Sequence, residues 1–211
     1  MLDIHTHHLP SVPGTAIVSV SPADFCPQPG HWYSTGIHPW QAGDPQWQAD
    51  DWEQLLVQLL RHPQVLAVGE AGLDRLAQAP LPLQTDLFRR QALLAETVGK
   101  PLIIHAVKVQ AELIALKREL QPAMPWVIHG FRGKPQMADA YLRHGFYLSF
   151  GQHYHPEALR LTPANRLLLE TDESLVPIGQ LCQQAATLRQ VDVDTLRQAL
   201  AANVCQVFFG H

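Results

Sequence analysis

Cysteine is scarce in this chain. The three residues, Cys26, Cys182 and Cys205, are widely spaced and form no Cys-x-x-Cys pair. That argues against a disulfide framework or a thiolate zinc site and fits reduced thiols in a cytoplasmic protein. No apolar run approaches the ~18 residues of a membrane-spanning helix, and no basic region followed by an apolar one opens the chain as a secretory leader would. A cytoplasmic protein with no membrane partner is therefore expected. Charge is also sparse: 16% of the 211 residues are charged, and the net charge is −4 with histidines neutral. No global positive field gathers a polyanion, so such a substrate has to be held locally, by metal or by a few basic side chains. Repeats, low-complexity tracts and linkers are absent too, and residues 1–211 are expected to form a single domain. Two things are plentiful. Hydrophobic residues make up 46%, enough for a sizeable core, and there are 12 histidines against 15 lysines and arginines. Histidine is the commonest metal ligand, so this surplus points to a metal site.

Short apolar runs recur along the whole chain. They are Leu2–His7, Thr15–Val20, His31–Ile37, Val65–Glu70, Leu102–His105, Trp126–His129, Phe146–Phe150 and Arg166–Thr171. Their hydrophobicity is mostly continuous rather than alternating, the pattern of parallel strands covered on both faces. Helical periodicity fills the intervals at Asp51–Arg61, Pro82–Val98, Val107–Leu120, Pro135–His144 and from Ile178 to Phe209, with a break and new N-cap near Asp192. Pro135 and Pro156 suit first-turn positions. Eight strands with intervening helices predict an α/β fold, a (β/α)8 TIM barrel. The first two connections, His8–Gly14 and Ser21–Gly30, are too short for a crossover helix. The barrel is expected to be distorted, with the outer helices after strands one and two missing or minimal.

Active sites of such barrels lie at the C-terminal ends of the strands. Those ends carry His5 and His7, Glu70, His105, His129 and Asp172. His5 and His7 share one strand face, because side chains alternate along a strand. Four imidazoles and two carboxylates converging on one mouth can hold two divalent ions with a bridging carboxylate. Zinc, manganese and iron suit this donor set; magnesium prefers more oxygen.

The motifs Asp3-Ile4-His5-Thr6-His7, Gly36-Ile37-His38-Pro39, Val68-Gly69-Glu70-Ala71-Gly72-Leu73-Asp74, Gln91 through Ile104-His105, His129-Gly130-Phe131-Arg132-Gly133 and Leu169-Glu170-Thr171-Asp172 follow one another in order. With Asn203 and Phe208 near the end, the chain resembles the TatD family of metal-dependent hydrolases, among the amidohydrolase-like barrels. The resemblance implies a first metal on His5, His7, Glu70 and Asp172, and a second on Glu70, His105 and His129. Glu70 would bridge them, and Asp172 would act as general base. It also implies a deoxyribonuclease or phosphoesterase acting on DNA ends. His38 would contact a phosphate. Where the family commonly has Ser-Arg after the strand-five histidine, this chain has Ala106-Val107 and then Lys108, which offers a point charge in place of the arginine fork. Arg132 adds a cation near the mouth, and His153 follows strand seven; both join His38 and Lys108 as candidate substrate contacts. Asp74 is a candidate partner for a metal ligand. Trp32, Trp40, Trp47 and Trp52 cluster near strand three, where packing is expected in preference to base stacking. Hydrolysis of a small amide, lactone or phosphate ester on the same metals is an alternative, and a non-catalytic metal-binding protein is a second. A monomer is favoured.

Overall fold

The computed structural model describes residues 2–48 and 51–210; Met1, Ala49, Asp50 and His211, with those ends of the expected domain, lie outside the described residues. Eight parallel strands form one sheet in sequence order: β1 Asp3–Thr6, β2 Ala16–Val20, β3 Trp32–Thr35, β4 Val65–Asp74, β5 Leu102–Val107, β6 Trp126–Ile128, β7 Tyr147–Phe150 and β8 Leu167–Leu169. The sheet closes on itself next to β1. Thr6 and Asp172 form a parallel bridge, the Asp172 amide donates to the His5 carbonyl at 2.9 Å, and the His7 amide donates to the Asp172 carbonyl at 3.3 Å. The buried Asp3 carboxylate reinforces the seam by accepting from the Thr171 amide at 3.0 Å and the Thr171 hydroxyl at 2.6 Å. The expected barrel is thus present.

Among the described residues seven α-helices surround it: α1 Trp52–Leu60, α2 Leu81–Val98, α3 Gln110–Leu120, α4 Pro135–Arg143, α5 Pro156–Leu161, α6 Ile178–Arg189 and α7 Val193–Val204, which continues into a π-helical turn at Cys205–Phe209. No helix lies between β1 and β2, and a single 3-10 turn, Pro22–Asp24, lies between β2 and β3. Proline explains both gaps. Pro10, Pro13, Pro22, Pro27 and Pro29 remove amide donors that a crossover helix needs. Asp192 caps α7 by accepting from the amides of Asp194 and Thr195, and Gly99, at φ 65°, ends α2.

Two strands run past their expected ends. β4 does not end at Glu70 but runs to Asp74, with a register shift against β5 between Val68 and Ala71. β5 likewise runs to Val107, so α3 begins at Gln110; Lys108, at φ 57°, makes the turn between them. Glycine permits the long β4–β5 pairing. A Cβ on Gly69 would lie 2.6 Å from the Ile103 carbonyl oxygen, and one on Gly72 would lie 2.0 Å from that of His105.

The main core packs the outer strand faces against the helices. A smaller cluster gathers Ile17, Ala67, Ile103, Val127 and Leu168 with Val207 and Phe208 of the C-terminal turn. Ile103, Val127 and Leu168 stand two residues before His105, His129 and Glu170, on the same strand faces. A rigid apolar layer therefore lies directly beneath the polar side chains at the mouth.

Candidate metal centre

Glu70 occupies the middle of the mouth and is almost fully buried. Its Oε1 lies 2.7 Å from His105 Nδ1, 2.7 Å from His129 Nε2 and 3.2 Å from His38 Nε2. Its Oε2 lies 3.4 Å from Nε2 of both His5 and His7. Five imidazoles from four segments thus surround one carboxylate. Asp172 Oδ1 faces the same two nitrogens of His5 and His7, at 3.7 and 3.6 Å. All six sequence-derived ligands are brought together, and the β1 pair shares a face as its spacing requires.

His38 is closer to the centre than the sequence reading placed it. Its ring nitrogen joins Glu70 and His105 in one group of potential ligand atoms lying within 4.8 Å of each other. His5, His7 and Glu70 form a second such group, and His5, His129 and Asp172 a third. Helix α2 explains the position of His38. The buried Gln91 accepts from the Ile37 amide at 2.7 Å and donates to the Ile37 carbonyl at 3.1 Å, fixing the end of β3. Two turns earlier on the same helix, Gln84 accepts from the Asp74 amide at 2.8 Å and donates to its carbonyl at 3.0 Å.

Two carboxylates behind the cluster orient its histidines. Asp74 Oδ2 accepts from His105 Nε2 at 3.1 Å, which leaves Nδ1 turned to Glu70. Glu170 Oε1 lies 3.3 Å from His129 Nδ1 and accepts from the Gly130 amide at 2.6 Å, leaving Nε2 turned to Glu70. These are the carboxylate–histidine pairs that fix the tautomer of a metal ligand. The Asp74 role was legible in the sequence; that of Glu170 was missed.

The electrostatics follow from this packing. Burial pushes the Glu70 carboxyl up, but His129, His105 and His38 outweigh it and hold it well below the usual carboxylate range. Burial opposes charge on His129, yet Glu70 and Glu170 hold its pKa well above that of free imidazole. The hydrogen bond to Glu70 raises His7, whereas burial lowers His38. Burial also lifts Asp3 to about 7, against the bonds from Thr171.

The donors fit divalent metal. Both ring nitrogens of His5 are buried and, among the described residues, have no hydrogen-bond partner, a costly state for an imidazole unless a cation faces it. Nitrogen and carboxylate donors in these numbers suit zinc or manganese.

Above the cluster, a cavity of about 410 Å³ is lined by His7, His38, Trp40, Glu70 and Asp172. A larger one of about 850 Å³ shares Trp40, His105, His129 and Asp172 with it and carries Arg75, Lys108 and Arg132 on its walls. Arg132 Nη2 lies 3.9 Å from Asp172 Oδ2. Lys108 is exposed on the cavity wall, and Arg75 pairs with Glu112. His153 stands exposed on the rim of a third cavity of about 330 Å³, beside Arg132 and Glu173, away from the ligand nitrogens. The tryptophans divide: Trp47 and Trp52 are core, Trp32 packs edge-to-face on Phe209, and Trp40 stands in the mouth.

Several known proteins resemble this chain over most of its length. The chain is 34% identical to the 3'-5' ssDNA/RNA exonuclease TatD of Edwardsiella piscicida, over 88% of this chain and 78% of that protein. It is 34% identical to the uncharacterized metal-dependent hydrolase YabD of Bacillus subtilis, over 82% of this chain and 75% of that one. The crystal structure of YJJV, a TatD homolog from Escherichia coli K12, shares the fold with a TM-score of 0.80 at 24% identity, covering 92% of this chain and 85% of that one. A sequence model of TatD related DNases matches residues 27–209. With its fold, its histidine–carboxylate cluster and this match, the chain belongs to the TatD-related DNase family.

Proposed function

We propose that this protein is a dinuclear, divalent-metal-dependent phosphodiesterase that hydrolyses nucleotides from DNA ends. The observation that carries the proposal is the position of Glu70, whose two oxygens face two different sets of imidazoles. His5, His7, Glu70 and Asp172 would hold one ion, and His105, His129 and Glu70 the other. When bound, the ions supply Lewis acidity toward phosphate oxygens and lower the pKa of water.

The remaining work falls to the protein's own groups. Asp172 takes the proton of the attacking water; its carboxylate stands at the cavity wall with one oxygen toward His5 and His7 and the other toward Arg132. The new bond is from water oxygen to phosphorus, and the bond broken is from phosphorus to the leaving nucleotide oxygen, which picks up the proton that Asp172 took from the water. Arg132 and Lys108 offset phosphate charge along the larger cavity. His153, on the outer rim, contacts the strand beyond the cleaved nucleotide. His38 lies so close to Glu70 that its role is in the metal centre itself, in addition to any phosphate contact.

Lys108 and Arg132 on the cavity wall favour a phosphodiester over a neutral amide or lactone, Arg75 being paired with Glu112. All ligand side chains come from one barrel, so a single-domain monomer is the working unit. Free Cys26, Cys182 and Cys205 agree with a cytoplasmic setting. The test is a panel of single-stranded DNA, small phosphate esters and amide or lactone esters, each with zinc, manganese or magnesium. Turnover of DNA ahead of the other classes is expected. Preferential turnover of the amide or lactone class would overturn the proposal.

A further inference from the structure

Trp40 is 67% exposed, an uncommon state for the residue type with the largest apolar surface. It is nevertheless fixed. Its indole N–H donates to Asp74 Oδ2 at 2.7 Å, and Asp74 is buried. Its ring meets the His38 ring edge-to-face, with centroids 5.0 Å apart and planes at 87°, and the His105 ring centroid is 6.1 Å away at 72°. Neither contact covers the ring by stacking. Burial does not explain the residue, because Trp47 and Trp52 of the same segment supply the core packing. Trp40 is also shared by the two cavities that meet above the ligand cluster.

We infer that Trp40 is the stacking platform for the terminal nucleobase of a single-stranded substrate, set beside the metal centre so that the adjoining phosphate falls over Glu70 and Asp172. This rests on the phosphodiesterase reading and adds the recognised feature: an unpaired base next to the scissile bond. A rigid, half-anchored indole suits the task, since little conformational freedom is lost when the base arrives. Stacking is tolerant of base identity, so all four terminal bases are accepted. A duplex end, whose last base is already stacked and paired, is a poorer substrate.

The experiment compares wild type, Trp40→Ala and Trp40→Phe in the metal-loaded protein on three probes. These are a single-stranded oligonucleotide, the same oligonucleotide with an abasic terminal residue, and bis(p-nitrophenyl) phosphate. Loss of one stacked base corresponds to roughly 5- to 150-fold in affinity. The expected result is a KM for the intact oligonucleotide raised by that order in Trp40→Ala and largely recovered in Trp40→Phe. The abasic strand should show the same loss in wild type, with no further loss in Trp40→Ala. Loss of the indole bond to Asp74 acts through His105, so it would lower turnover of all three probes alike in both variants. That pattern, or an unchanged KM for the intact strand in Trp40→Ala, overturns the inference. Binding is read in parallel by quenching of tryptophan fluorescence. Quenching that disappears in Trp40→Phe supports the platform even if no probe is hydrolysed, in which case the failure falls on the phosphodiesterase reading alone.

Discussion

At the scale of single residues, the centre depends on groups that no ion would touch. Asp74 and Glu170 each hold the far nitrogen of a histidine and so decide which nitrogen of His105 and His129 faces Glu70. Such partners typically contribute 10–100-fold to metal affinity. Glu170→Gln is expected to weaken zinc binding by about that factor, measured by competition with a chromophoric chelator; affinity equal to wild type would remove Glu170 from the centre. Asp172 shows a second residue-scale feature. It sits at φ 54°, a conformation aspartate tolerates better than most residues, held there by the bonds from its amide to His5 and from the His7 amide to its carbonyl. The candidate metal ligands were readable in the sequence because each stands at or near the end of a short apolar run. Glu170 and the inner position of His38 were not, because their roles depend on distances between strands that periodicity does not contain.

At the scale of elements, α2 does more than cover the sheet. Gln84 and Gln91 reach from one helix to the ends of β4 and β3 and satisfy both backbone groups of Asp74 and Ile37. Gln91→Leu leaves the buried Ile37 groups unpaired and is expected to cost about 1–3 kcal/mol in urea unfolding. Asp192→Ala removes the α7 cap and is expected to cost about 1 kcal/mol by the same measurement. On α3, Lys117 packs with its Nζ 5.0 Å from the Trp126 ring and 4.9 Å from that of Phe146. Burial holds its pKa down to about 8 from 10.5, with the Arg166 charge acting in the same direction. Between those values the unfolded chain binds a proton that the folded chain does not, so stability rises with pH across that window and the penalty is full below it. Lys117→Met should flatten the rise between pH 8 and 10.5 in urea midpoints; an unchanged slope would show that the aromatic faces keep the ammonium charged. The missing helices were legible in the prolines of the first two connections. The four extra residues of β4 were not, because a glycine-permitted backbone approach looks like an ordinary turn in sequence.

At the scale of the molecule, closure of the sheet and assembly of the centre are one event. His5 and His7 come from β1, Asp172 from the segment after β8, and the two meet only across the seam stapled by Asp3 and Thr171. The strands themselves announced a barrel, whereas this seam is a two-residue backbone bridge reinforced by the Asp3 carboxylate and left no periodic trace. Metal that binds only the closed barrel stabilises it by mass action. Zinc or manganese in excess is therefore expected to raise the melting temperature and a chelator to reverse the gain, by differential scanning fluorimetry. A melting temperature indifferent to both would separate the cluster from metal. The most direct measurement is release of nucleotides from an end-labelled single strand by wild type and Glu70→Gln, each with and without divalent metal. The expected result is release by metal-loaded wild type only, with Glu70→Gln slower by roughly 10²–10⁴-fold. Equal release by Glu70→Gln, or by wild type stripped of metal, would contradict a phosphodiesterase centred on Glu70.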